Sequence, residues 1–325
     1  MQILIVTPAP PRTQHGNRIT ALRWARILRG LGHKVRVLQA YEGQACDVLI
    51  AMHARRSASS VERFRTERPR DPLVLALTGT DLYRDMRTRR TAQRSAELAS
   101  RLVLLQWHAL GELPSHLAYK ARVIYQSMQS PLRKLSPLKR VFETCVVGHL
   151  RPVKDPFRAA LAVRRLPADS QIHVVHLGAA MSPAMDHRAR AETQSNPRYE
   201  WLGELPLGKT RLRLGRARLL VHSSKLEGGA NVLSEAVAAA TPVLSSRIPG
   251  SKGILGEYYP GYFEVGDTSG LTKLLLRAER DKDFYQELKR HCQNRLPLID
   301  PVREAKCWED LLGEFQWEWC GAGTE

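Results

Sequence analysis

Several features that would place a protein in a class are missing from this chain. The cysteines, Cys46, Cys145, Cys292, Cys307 and Cys320, are odd in number, scattered and never spaced as C-x-x-C. That pattern argues against both a disulfide framework and a zinc cage, and leaves reduced, structural residues as the expectation. No run approaches the eighteen or more apolar residues of a spanning helix. The opening "QILIVT" also lacks the charged flank and cleavage site of a signal peptide, so a cytoplasmic protein is expected. Glycine is short where a dinucleotide site would need it: the loop "TPAPPRTQHGNRIT" has one glycine against the three of G-x-G-x-x-G, which excludes a nicotinamide-cofactor reading. There is no repeat of fixed period, no low-complexity tract and no DxD-like acidic motif, and neither a metal nor a cofactor is expected.

Acidic residues are also under-represented, with 32 Asp+Glu against 50 Lys+Arg and a formal charge of +18. Residues 1–138 carry 23 basic and 9 acidic side chains, net +14, whereas 139–325 carry 27 and 23, net +4. A basic field concentrates anions, whether nucleic acid, phospholipid or a small oxyanion, and here it is expected in the first half. No recognition-helix, zinc-finger or RNP-like motif accompanies it, and "YRDMRTRRTAQRSAELASR" reads as a solvated basic helix. Specific nucleic-acid binding is not expected.

What is present is alternation. With 325 residues and 43% hydrophobic composition, the chain can bury two ordinary cores. It opens as strand, loop, helix, turn and strand, with Ala21, Trp24, Leu28 and Leu31 at helical spacing and Gly32 as the stop. "DVLIAM", "PLVLAL" and "RLVLLQ" follow as buried strands, and after a linker at 127–140, "SMQSPLRKLSPLKR", the pattern restarts with "FETCVVGHL", "QIHVVHLG", "RYEWLG", "ARLLVHS" and "TPVLSS". The expected fold class is α/β, two doubly wound, Rossmann-like lobes facing a cleft, divided as 1–138 and 139–325. In the tail Trp308, Leu312, Phe315 and Trp319 form one apolar helical stripe that packs back on the core.

The stretch "SSKLEGGANVLSEAVAAATPVL", residues 223–244, carries the chemistry. A buried strand reaches its carboxyl end, the glycines allow close backbone approach, and Asn231 is placed to cap the following helix. The N–H groups of 229–232 then suit a phosphate at the positive end of that helix. Glu235, one turn further in, is placed for a vicinal diol such as a ribose, and Glu227 for the other end of the same elongated ligand.

These residues resemble the retaining, nucleotide-sugar glycosyltransferases of the GT-B type, whose signature is E-x7-E followed by an apolar helix and G-x-P-V. Here it reads Glu227, seven residues, Glu235 and "AVAAATPVLSSRIPG", with "FEVGDTSGLTKLLL" downstream. The resemblance implies that Glu235 holds the ribose and Glu227 the transferred sugar. It also places Leu205, Gly228, Gly229, Ala230 and Asn231 on the donor side. In "VVGHLRPVKDP", residues 146–156, the family's G-R-L-x-x-x-K-G is altered. Lys154 matches the diphosphate-binding lysine, His149 stands at the arginine, Asp155 replaces the glycine, and Arg151 supplies the missing charge.

In the first half Asn17 and Arg18 open a helix, and "AMHARRS" and "LTGTDLY" end two strands at the same edge. His53, Arg55, Arg56, Thr80 and Asp81 therefore line one surface. "MHARRSAS", "LALTGTDLYRD" and "GHLRPVKDP" resemble a narrower group, the selenosugar synthases of selenoneine biosynthesis. That resemblance implies transfer of the sugar of a UDP-sugar, such as UDP-N-acetylglucosamine, to selenophosphate, with release of UDP and phosphate. The implied roles are Glu227, Asp81 and His53 as catalytic and Asn17, Arg18, Arg55, Arg56 and Thr80 as selenophosphate-binding. The alternative is transfer to a lipid or polysaccharide hydroxyl, the basic half then resting on anionic headgroups.

Overall fold

Among the described residues twelve short strands, all paired in parallel, account for the buried apolar runs of the sequence. The structure, a computed structural model, describes residues 1–128 and 135–321, with side chains of the final helix as far as Phe315. Residues 129–134 of the linker stretch and the side chains of Trp319 and Cys320 fall outside the described residues. The first sheet comprises β1 (Gln2–Val6), β2 (Lys34–Leu38), β3 (Val48–Met52), β4 (Leu73–Leu77), β5 (Arg101–Leu104) and β6 (Ala121–Val123), in the order β2-β1-β3-β4-β5-β6. The second comprises β7 (Phe142–Val147), β8 (Ile172–Leu177), β9 (Tyr199–Trp201), β10 (Leu219–His222), β11 (Val243–Ser246) and β12 (Tyr262–Phe263), in the order β12-β11-β10-β7-β8-β9. β6 and β12 are too short to show a periodicity and were not legible as strands. In each sheet the order of strand addition reverses once, between β1 and β3 and between β7 and β10, and ligands bind α/β sheets at the carboxyl edge of such a reversal.

The expected division at 138/139 differs from the compact units, which are Met1–Ser127 with Asp300–Glu325, and Met128–Ile299. The terminal helix, Pro301–Gly321, returns to the first sheet because alternate residues of β1 face opposite ways. Leu4 and Val6 join Val61, Phe64 and Ala92 on one side, while Ile3 and Ile5 join Trp24, Leu28, Trp308, Leu311, Leu312 and Phe315 on the other. Trp24 and Trp308 meet edge to face at 4.8 Å. The buried Glu304 accepts from the Trp24 indole at 2.8 Å and from the Ser127 N–H at 2.8 Å, so a carboxylate inside the apolar seam has both oxygens engaged.

This return also overturns the charge reading. Asp300–Glu325 carries 7 acidic and 2 basic residues, so the first unit holds 23 basic against 16 acidic, net +7, and the second 27 against 16, net +11. The first unit is not the more basic one. No helix among the described residues is long and apolar enough to cross a membrane. Cys46, Cys145 and Cys292 are buried free thiols and Cys307 a partly buried one.

In the second unit the ends of β7 and β8 are pinned by His176. Its Nε2 lies 3.1 Å from the Gly148 carbonyl, which can only accept, so Nδ1 accepts from the Tyr199 hydroxyl at 2.9 Å. Gly178, at φ 152°, lets the two loops close: a Cβ there would lie 2.1 Å from the Gly148 oxygen.

Two outcomes are expected. Trp308→Ala should destabilise the first unit by about 3–5 kcal/mol in denaturant titration. Burial lowers the His176 pKa from 6.5 to about 4; the unfolded chain takes up this proton first, so stability falls as pH drops through that window, by about 3 kcal/mol. His176→Gln should remove that part of the acid slope when unfolding is followed between those pH values.

Candidate functional site

The reversal of the second sheet sets two loops side by side: Gly148–Asp155 after β7 and Ser223–Ala230 after β10. They are bound together by backbone. The Lys225 N–H donates to the Val153 carbonyl at 2.8 Å, and the Ser223 hydroxyl reaches the Lys154 and Asp155 carbonyls at 3.2 and 2.9 Å. The turn Pro152–Lys154 ends on Asp155 at φ 45° and ψ 55°, the left-handed conformation. This explains why an aspartate can stand where the family pattern has glycine, since Asp tolerates that region better than most residues. Its carboxylate also pairs with Arg158 at 2.8 Å.

This scaffold brings Lys154 and Glu227 into a direct ion pair. The same Glu227 oxygen accepts from the Ser224 hydroxyl at 2.7 Å and lies 3.7 Å from His222 Nε2. Burial acts to raise the Glu227 carboxyl, but Lys154 and then His222 outweigh it and hold it well below the usual carboxylate range. The pair is placed from behind by Gly250, where a Cβ would lie 2.3 Å from the Glu227 carbonyl oxygen. The Ser246 hydroxyl donates to the Ser224 carbonyl at 2.5 Å. The helix Asn231–Ala238 starts directly after this loop. Its cap position is held by Ala230 with no side-chain cap, and Asn231, expected to be the cap, is the first helical residue.

The remaining donor-side candidates are spread along the same edge. Glu235 is buried in that helix, paired with Arg211 Nε of the helix Leu207–Arg216 at 3.1 Å. His149 Nδ1 accepts from the Ala179 N–H at 3.1 Å and so ties the loop after β7 to the loop after β8. Arg151 is half-buried immediately before the Pro152–Lys154 turn. Gly228 is buried and Gly229 partly exposed. Leu205 packs against the second core. Beyond β8 and β9 opens a cavity of about 620 Å³ lined by Met181, Ser182, Asp186, Trp201, Gly203 and Glu204. His222, Ser224 and Ser251 were not singled out from the sequence. The histidine at the end of "ARLLVHS" was a signal in plain view, whereas Ser251 arrives only through the packing of the helix Pro249–Leu255.

In the first unit the ends of β3 and β4 form one cluster. Asp81, fully buried, accepts from the N–H groups of Ala54 (3.0 Å), Thr78 (2.9 Å) and Gly79 (2.7 Å). His53 stands at φ 73°, strained for a residue with a Cβ. Burial lowers its pKa, so it stays neutral. Its Nδ1 accepts from the Arg56 N–H at 3.4 Å and its Nε2 then donates to the Thr80 hydroxyl at 3.1 Å. Both side chains, expected as catalytic, are enclosed and internally bonded at this edge. Arg55 is committed to Asp85 at 2.8 Å. At the neighbouring reversal, Asn17 and Arg18 lie in the first turn of the helix Gly16–Gly30. Among the described residues, Nε and Nη1 of Arg18 and the hydroxyl of the fully buried Thr7, just past β1, are buried with no hydrogen-bond partner. Among the described residues no three His, Cys, Asp or Glu side chains stand together as a metal site.

Comparison with known proteins places this geometry. The family model described as glycosyl transferases group 1 matches residues 133–295, half of the chain. A Xenopus tropicalis protein, glycosyltransferase 1 domain-containing protein 1, is 22% identical over 270 residues, 75% of this chain and 78% of the relative. Anabaena HepE, solved in complex with UDP and glucose, superposes with a TM-score of 0.78 at 16% identity over 97% of this chain and all of that one. Sucrose-phosphate synthase of Thermosynechococcus elongatus superposes at 0.76, with 12% identity over 99% of both chains. The fold shared with these structures is GT-B. The chain belongs to the group 1 glycosyl transferases.

Proposed function

We propose that the chain is a UDP-sugar-dependent glycosyltransferase whose second unit holds the donor, and that its acceptor is selenophosphate. The observation that carries the donor side is the Lys154–Glu227 pair at the β7/β10 reversal, beside the start of the helix Asn231–Ala238. An ammonium and a helix amino terminus suit a diphosphate, and a carboxylate held ionised suits sugar hydroxyls. Binding of UDP or UDP-glucose by HepE supports this choice of donor. Glu235 takes the ribose, exchanging or sharing its bond to Arg211. Lys154 and the backbone of Gly228–Asn231 meet the negative charge that grows on the departing diphosphate.

The acceptor reading rests on the sequence phrases given above and on Arg18, whose buried guanidinium atoms lack an acceptor. A buried cationic donor without a partner calls for an anion. Thr7 and Asn17 lie at the same reversal, and Asp81, His53 and Thr80 hold the adjoining edge rigid. The selenium of selenophosphate, already a strong nucleophile, attacks the anomeric carbon; the carbon–selenium bond forms as the bond to UDP breaks and its electrons leave on the diphosphate. Water then cleaves the selenium–phosphorus bond, giving a selenol and phosphate.

Incubation with UDP-N-acetylglucosamine and selenophosphate should release UDP and yield a selenium-containing sugar by mass spectrometry. Turnover of hydroxyl acceptors with none of selenophosphate would overturn the acceptor assignment. Lys154→Met should weaken UDP binding by about 10–100-fold. Glu227→Gln should leave UDP affinity within a few-fold and lower transfer by at least about 100-fold. Arg18→Gln should raise the KM for selenophosphate about tenfold or more with UDP affinity unchanged.

A further inference from the structure

Behind Glu227 stands a histidine that the donor chemistry above does not use. His222 ends β10 and is buried. Its Nδ1 is held by the Ser245 hydroxyl of β11 at 3.2 Å and faced by the Ser251 hydroxyl of the helix Pro249–Leu255 at 3.5 Å. The two serines bond each other at 2.9 Å. Its Nε2 is buried without a hydrogen-bond partner among the described residues and lies 3.7 Å from Glu227 Oε1. The charged groups facing it are Glu227 and, across that carboxylate, Lys154. Glu227 therefore has two basic side chains beside it, Lys154 paired with it and His222 a step behind, oriented by hydroxyls on two other elements.

From this arrangement we infer that His222 is a positioning residue that takes over Glu227 from Lys154 when a diphosphate claims the lysine, acquiring a proton as it does so. The inference rests on the donor reading above. A diphosphate competes for the Lys154 ammonium, and a half-buried carboxylate that loses its counter-ion is destabilised unless another cation replaces it. Imidazole is the side chain able to supply that charge near neutral pH. One proton passes from solvent to His222 Nε2, an N–H···O bond to Glu227 forms, and no other bond changes. Glu227 thus remains anionic and fixed while its former partner serves the leaving group.

The test is calorimetric titration of the full chain with UDP at about pH 7.5 in buffers of low and high ionisation enthalpy, which counts protons exchanged on binding. The wild-type protein should take up more protons per UDP than His222→Asn, by a difference approaching one, with the fold of the variant checked by thermal melting. On the wild-type protein alone, the assigned His222 ring resonances should move toward those of a protonated imidazole when UDP is added at that pH. UDP binding with equal proton counts and unmoved His222 resonances would overturn the inference while leaving the donor reading intact. Absence of UDP binding to the wild type would overturn both.

Discussion

The pairing of Lys154 with Glu227 depends on a single topological fact, that β10 lies beside β7. The two residues are 73 positions apart and belong to loops that meet only because the second sheet reverses there. Everything close to them maintains that meeting. Asp155 adopts a left-handed turn, Ser223 ties the two loops, and Gly250 leaves room for the Glu227 carbonyl. Opposite charges brought together with this little freedom form a prepaid binding geometry, in which a ligand exchanges partners and reorders little.

The same economy governs the other buried carboxylates. Glu304 is shared between an indole and a backbone N–H, Asp81 gathers three backbone N–H groups, and Glu143 sits between Arg213 and Arg216 at 3.1 and 2.7 Å. Each is a buried carboxyl group with its oxygens hydrogen-bonded, the condition under which burial is tolerable. The arginine excess is spent in a similar way. Arg65 bonds the carbonyls of Leu98, Pro69 and Asp71, and Arg198 those of Pro167, Ala168 and Ile172. Much of the basic composition therefore staples loops and is not a free field for anions. Arg18 differs from these because its buried nitrogens have no such carbonyl.

Membership of the group 1 family and the GT-B fold narrows the chemistry to glycosyl transfer and leaves the acceptor to local detail. The solved neighbours share the scaffold at 11–16% identity, too little to carry side-chain roles across. In this chain the loops carry a histidine at 149, an aspartate in a left-handed turn at 155, and the His222 to Ser251 cluster behind the glutamate. Function in such folds resides in the loops at the carboxyl edges of the strands, which vary while the sheets persist.

The sequence by itself determined the class of fold, the long strands and the strand-to-helix turn that follows Leu219–His222. Buried parallel strands are continuous apolar runs, and a glycine-flanked strand-to-helix turn is a local pattern. Only the tertiary structure decided where the terminal helix belongs, and with it how charge divides between the units, because Trp308 finds Trp24 across most of the chain's length. It also decided that Asp81 and His53 are enclosed, that Ala230 and not Asn231 occupies the cap, and that His222 stands behind Glu227. Burial and partner geometry are properties of neighbours far apart in sequence, and no local spacing encodes them.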